Sequence, residues 1–219
     1  MLWSGHAFWK PVVKYGVRHV EVLANMLKRH GGHDLTVVHD GTFDLPVHLD
    51  AVRMPDEVAS LPDYQPKLWL WSPDLRETIG ERFVAIDLDV IVLGDLGPLL
   101  DVACPVYLWN EAVGEPYNTS LFAVKPSAGL QVWEMFRDNP AQLARAARSM
   151  PRWTGDQSWV ALILGPLLPT FGEVEGVVRY RPGRDVGGVP ADTLAVFFCG
   201  PRCPATIKDD VKWVADNWR

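Results

Sequence analysis

The sequence predicts a single α/β domain in which a mixed, mainly parallel sheet is flanked by helices. Segments of strand composition alternate with segments of helical period along the 219-residue chain. The longest apolar segment, Phe83 to Leu93, is apolar at nearly every position, as a strand covered on both faces is. A composition of 48% hydrophobic and 22% charged residues suits one sizeable core and excludes disorder.

Pro11 to Gly16 reads as a first strand ending in a loop. From His19 to His30, Val20, Leu23, Ala24 and Leu27 recur at helical spacing, and Gly31-Gly32 stops the helix. Leu35 to Gly41 is a second strand closing on an Asp-Gly turn. The Pro- and Asp-rich stretch from Leu45 to Pro66 reads as loop, with a short strand near Val52. Lys67 to Trp71 reads as helix, and Ser72-Pro73-Asp74 is the N-cap and first turn of the next one. The strand Phe83 to Leu93 follows, with Gly94-Asp95-Leu96 as its turn. Val106 to Trp109 and Ser120 to Val124 are further strands. Leu130 to Arg137 forms a helix, and the capping-box pattern Thr154-Gly155-Asp156-Gln157 opens another that runs to about Gly165. Val177 to Arg181 and Leu194 to Phe198 are late strands, and Val211 to Trp218 is a short terminal helix.

The net charge of −6 lowers the expectation of a nucleic-acid backbone as partner, since phosphates call for a basic face. No apolar run approaches the roughly 20 residues of a membrane helix, so no stable membrane insertion is expected. Met1 to Trp9 lacks the pattern of a secretory signal, which gives a cytoplasmic expectation. Cys104, Cys199 and Cys203 are too few for a disulfide framework and too poorly spaced for zinc. Ten tryptophans are unusual; most are expected in the core or in cleft walls, and one or two along a sugar site.

The chemistry concentrates at Asp87-Leu88-Asp89, inside the apolar run. Two aspartates there are costly to bury unless something compensates their charge. Within a strand, positions i and i+2 point to the same side about 6–7 Å apart. At the carboxyl end of a strand, where open α/β sheets bind ligands, that spacing serves one divalent cation and its phosphates. Hard oxygen ligands suit Mg²⁺ or Mn²⁺. Two other readings are a turn paired with arginines such as Arg82, and the nucleophile of a haloacid dehalogenase-type phosphatase. That phosphatase motif lies near an N-terminus and has Thr or Val where this chain has Ile91.

Further segments extend the pattern. Phe83 to Leu96 resembles the DxD core of the glycogenin-like and bacterial GT-A glycosyltransferases. Pro66-Lys67-Leu68 resembles their PKL helix start, and Tyr117-Asn118-Thr119-Ser120-Leu121-Phe122 their N-S-(S/G) strand. Thr154 to Trp159 resembles the GDQ element, and Phe197 to Pro204 the late FHGxPxP turn. The resemblance runs from about Val12 to Trp218. It implies a single GT-A (Rossmann-like) domain that moves a sugar from a nucleotide-diphosphate donor, with UDP expected, using Mn²⁺ or Mg²⁺. A non-catalytic nucleotide-sugar binding module is the alternative.

The resemblance also implies roles. Asp87 and Leu88 contact the donor, with Asp87 on ribose, and Asp89 binds metal. Val13, Lys14, Tyr15 and Gly16 form the nucleobase loop, Tyr15 stacking on the base. Lys67 contacts donor or phosphate, and Asn118 a sugar hydroxyl. Asp156 and Gln157 serve the donor sugar, Asp156 as base if the reaction inverts. Asn118 also suits a strand-edge cap, and Asp156 and Gln157 an ordinary helix start. The family's late-turn histidine is missing, because Phe197, Phe198 and Cys199 precede Gly200. Weaker metal binding, a water in that position, or Cys199 as an unusual ligand follows, with Arg202 adding positive charge near the diphosphate. The acceptor stays open among glycan, protein, small molecule and modified DNA. The loop Glu111 to Pro116 and the stretch Asn139 to Trp153, with Arg145, Arg148 and Arg152, are expected on its side.

Overall fold

The computed structural model describes residues 15–62, 64–110, 116–141, 145, 156–172, 175–199 and 202–219. The strand expected from Pro11 to Gly16 therefore lies almost wholly outside the described residues, as do Thr154-Gly155 and most of the stretch Asn139 to Trp153.

Helix α1 (Val17–Arg29) starts from Gly16 and turns Val20, Val22, Leu23, Met26 and Leu27 inward. Its last turn is fixed to the far end of the chain, where Arg29 donates to the carbonyls of Asn217 (2.6 Å) and Arg219 (3.0 Å). Strand β1 (Thr36–His39) pairs in parallel with β2 (Asp50–Arg53), the short strand expected near Val52. A four-residue helix α2 (Asp56–Ala59) follows inside what reads as loop. Gln65–Trp71 is helical as expected but winds as a 3₁₀ helix, burying Leu68, Trp69, Leu70 and Trp71. Ser72 caps α3 (Pro73–Ile79), its hydroxyl accepting from the Leu75 amide at 3.1 Å.

The long strand Phe83 to Leu93 is a correction. It is broken into β3 (Phe83–Ile86) and β4 (Val90–Val92), which belong to different sheets. The three residues between them are Asp87, Leu88 and Asp89. Two charged side chains within an apolar run are hard to bury in a continuous strand, and the chain leaves the first sheet where they occur.

After α4 (Gly97–Leu100) come β5 (Val106–Trp109) and β6 (Asn118–Val124). Helices α5 (Gln131–Asp138) and α6 (Asp156–Leu164) follow, then β7 (Thr170–Phe171), which carried no sequence signal, and β8 (Val177–Arg179). A 3₁₀ turn (Asp185–Gly187), β9 (Ala195–Phe197), α7 (Pro204–Ile207) and α8 (Lys212–Asn217) complete the described chain. One sheet runs β3-β6-β5-β7, another β4-β9-β8, and β1-β2 stands apart. Of the six pairings among the described residues, three are parallel and three antiparallel, so the sheet system is mixed as expected.

Two apolar clusters lie on either side of β6. Leu121 and Ala123 enter the cluster under α1, β4 and β9. Phe122 and Val124 enter the cluster under the first 3₁₀ helix, α5 and α6. This alternation is the period-2 pattern of a strand covered on both faces. Trp71 stacks on Phe122 with centroids 4.5 Å apart. The described tryptophans serve the core: Trp69, Trp71, Trp109, Trp133, Trp159 and Trp218 are buried, and Trp213 is half-buried.

Candidate functional site

The break between β3 and β4 ties the two larger sheets together. The Asp87 amide donates to the Ser120 carbonyl at 2.9 Å, extending the β3–β6 ladder by one bond. The Asp89 carbonyl accepts from the Phe198 amide at 2.9 Å, extending β4–β9. Leu88 between them is buried in the core, so it can meet a ligand only through its backbone. Asp87 and Asp89 thus hang from different sheets at one junction. They are not same-face neighbours on one strand.

Asp87 has a cation. The Lys67 ammonium lies 2.8 Å from its Oδ1 and 2.9 Å from its Oδ2, and 3.8 Å from Asp156 Oδ2. The three side chains are 14%, 29% and 8% exposed in the order Lys67, Asp87, Asp156, so water screens the network little while one side stays open. Burial favours a neutral Asp87, but the charge and hydrogen bond of Lys67, with the Ser120 side chain, hold its carboxyl below the usual range. Burial likewise favours a neutral Lys67, and the charges of Asp87 and Asp156 outweigh it.

Asp89 has no such partner among the described residues. Burial, and then the charge of Asp87, push its carboxyl up to about 7. The Tyr15 hydroxyl hydrogen-bonds to it, and burial, together with the negative charges around it, keeps that phenol protonated. The Tyr15 ring meets His19 edge-on at 5.1 Å, so in this structure it serves Asp89 and the start of α1. Gly16 is the residue from which α1 starts, and its amide donates to His19 Nδ1 at 3.2 Å.

Asp156 opens α6. Its Oδ2 accepts from the Thr119 hydroxyl and faces Lys67. Gln157 beside it is half-buried. Asn118 is buried at the start of β6, and its Oδ1 accepts from the Ser120 amide at 2.7 Å, the strand-edge role the sequence allowed. Thr119 and Ser120 were missed as functional candidates. The signal was their place on β6, where Asn118 to Ser120 run past both Asp87 and α6.

The late turn reaches the same junction, because β9 pairs with β4 and Cys199 follows the residue bonded to Asp89. Cys199 is half-buried, Cys203 is buried, and Arg202 is exposed. Val13, Lys14 and Gly200 lie outside the described residues, as do Arg148 and Arg152, while Arg145 is exposed. Among the described residues no three His, Cys, Asp or Glu side chains gather as a metal cluster.

A divalent cation fits this donor set. Asp89 is a hard oxygen ligand whose ionisation the protein opposes, and a cation would relieve that opposition. The remaining positions would fall to phosphate oxygens and water, as is usual for Mg²⁺.

No family model matches the chain, and no curated protein matches it by sequence. Solved structures do match it in fold. The glycosyltransferase GlyE of Streptococcus pneumoniae TIGR4 superposes over 86% of this chain with a TM-score of 0.60 and 16% identity, and its apo form with 0.57 and 14%. This chain spans about half the length of GlyE, 53% and 52% respectively. The galactosyltransferase LgtC, in a complex with donor and acceptor sugar analogues, superposes over 91% of both chains with a TM-score of 0.60 and 13% identity. The chain has the fold of GT-A glycosyltransferases. No helix among the described residues is long and apolar enough to cross a membrane.

Proposed function

We propose that this chain, sharing the fold of those glycosyltransferases, transfers a sugar from a nucleoside-diphosphate donor, UDP-linked in the first instance, to a hydroxyl of an acceptor. The observation that carries the reading is the charge asymmetry at the break between β3 and β4. Asp87 is neutralised by Lys67, whereas Asp89 lacks a cation of its own among the described residues.

When bound, Mn²⁺ or Mg²⁺ supplies positive charge to the diphosphate as it leaves. Asp89 is the carboxylate that would hold it. Asp87, kept ionised by Lys67, is oriented toward ribose. Lys67 also places a fixed positive charge between Asp87 and Asp156, beside the negative charge that develops on the leaving group. Thr119 fixes the Asp156 carboxylate at the start of α6, where Asp156 and Gln157 face the donor sugar and Asn118 borders it. In the reaction the anomeric C–O bond to the diphosphate breaks and a C–O bond to the acceptor oxygen forms. The acceptor proton goes to Asp156 if configuration inverts, or to the leaving phosphate if it is retained.

The test is incubation with a panel of UDP-sugars with and without Mn²⁺, following release of UDP. Slow metal-dependent hydrolysis of one donor is expected even without acceptor. Failure to bind any nucleotide sugar in the presence of metal would sink the reading. UDP binding without hydrolysis or transfer at any metal concentration would instead leave a binding module.

A further inference from the structure

Tyr15 and Asp89 belong to different parts of the chain. Asp89 ends the break before β4, and Tyr15 precedes Gly16, the residue from which α1 starts. One hydrogen bond joins them, from a phenol that burial and the surrounding negative charge keep protonated. To reach the carboxylate, the tyrosine must be aimed by its backbone and its neighbours, and His19 in the first turn of α1 contacts both. Its Nδ1 accepts from the Gly16 amide at 3.2 Å. This is the reach from the third helical residue back to the capping residue that Glu or Gln makes in a capping box. The Gly16 amide belongs to the planar peptide unit that joins Tyr15 to Gly16, so the bond fixes the backbone plane next to the Tyr15 side chain.

The same imidazole meets the Tyr15 ring edge-on, with centroids 5.1 Å apart and planes at 73°. Trp218 packs edge-on against it as well, at 5.7 Å and 63°. Trp218 is buried, and Arg29 of the last turn of α1 donates to the carbonyls of Asn217 and Arg219 on either side of it. Accepting at Nδ1 requires the neutral ring, and burial holds His19 below the ordinary histidine range. Its Nε2 is buried without a partner among the described residues. A phenyl ring would avoid that cost, but it would offer no acceptor to the Gly16 amide.

We propose that His19 is a positioning residue for the Asp89 site, aiming the Tyr15 hydroxyl at the carboxylate with Trp218 as its backing. It acts through Tyr15 alone. The assignment rests on the reading of Asp89 as the carboxylate that holds the cation. The packing of Trp218 against α1 then bears on metal affinity through two rings.

Two variants separate the ring from its acceptor. His19→Phe keeps an aromatic ring and removes the acceptor, whereas His19→Gln removes the ring and keeps an acceptor with capping-box reach. In titrations with Mn²⁺ alone, His19→Phe is expected to change affinity several-fold, in the same direction as Tyr15→Phe. Combining the two should change nothing more, because both act through one hydrogen bond. His19→Gln should lie closer to the unsubstituted protein. The Tyr15 Cζ resonance of metal-free protein, assigned by its loss in Tyr15→Phe, should move in His19→Phe and move less in His19→Gln. Additive effects, equal effects of Phe and Gln, or a fall in Tm with affinity and resonance unchanged would overturn the proposal. Should His19→Phe not fold, Trp218→Leu takes its place, and an unmoved Tyr15 resonance there overturns it. If the unsubstituted protein binds no Mn²⁺, the reading of Asp89 fails, while the Tyr15 resonance still decides whether His19 aims the hydroxyl.

Discussion

The two sides of the break at Asp87-Leu88-Asp89 are built differently. Asp87 belongs to the β3-β6-β5-β7 sheet, where Lys67, Ser120 and, through Lys67, Asp156 and Thr119 close a network around it. Asp89 belongs to the β4-β9-β8 sheet, where it meets a tyrosine hydroxyl and the late turn but, among the described residues, no cation of its own. The difference separates two uses of a buried carboxylate. One is satisfied within the protein and stabilises the junction, and the other is held in a state that a bound cation improves.

Substitution of each aspartate should separate these uses most widely. Asp89→Asn is expected to lower donor hydrolysis by about 10³-fold. Metal-free stability should be unchanged or raised, since the disfavoured charge is gone. Asp87→Asn is expected to lose activity and also about 2 kcal/mol of stability, because Lys67 is left without its closest partner. For a chain of this size that is a fall in Tm of about 5 °C. Equal stability losses from the two variants would break the comparison. Lys67→Met should destabilise by a similar amount, and combining it with Asp87→Asn should recover part of that loss in thermal melts. Strictly additive losses would show that the pair does not act as a unit.

The sequence disclosed one half of this contrast. The apolar run around two aspartates was visible, and so were Lys67, Asp156 and the late turn, each as a separate segment. Nothing in the period of Phe83 to Leu93 marked the change of sheet at Asp87, because a strand buried on both faces has no alternation to interrupt. Tyr15 was read as a base-stacking ring, and its hydroxyl bond to Asp89 depends on tertiary placement. Thr119 carried no charge and no motif weight, and its role appears only when α6 packs near β6. The two-residue β7 and the four-residue α2 were too short for any periodicity to show.

The pH dependence sharpens the comparison further. The folded-state value of Asp89, about 7, is raised above the ordinary carboxylate value. Folding therefore takes up a proton, and this contribution is fully present below about pH 4 and is lost as pH rises through about 7. Asp87 is shifted the other way, so its contribution is present above the ordinary carboxylate range and is lost on acidification. Melts of metal-free protein should show stability draining away between about pH 4 and 7. The gain from Mn²⁺ should grow over the same interval, because binding competes with the Asp89 proton. Asp89→Asn should flatten that neutral-side slope and leave the acid-side one. A slope unchanged by Asp89→Asn would assign it elsewhere.

The smallest effect is expected from Tyr15→Phe, which removes one hydrogen bond to Asp89 and leaves the ring against His19. Mn²⁺ affinity should change several-fold, in keeping with about 1 kcal/mol for such a bond, with little change in Tm. A large loss of Tm with unchanged metal affinity would make Tyr15 a packing residue.

The most direct test is a crystal structure of the chain with UDP and Mn²⁺, the metal located by its anomalous scattering. The metal is expected on the Asp89 carboxylate and the diphosphate, with Lys67 still paired to Asp87 and the sugar side open toward Asp156. A metal or nucleotide bound away from the break between β3 and β4 would contradict the account.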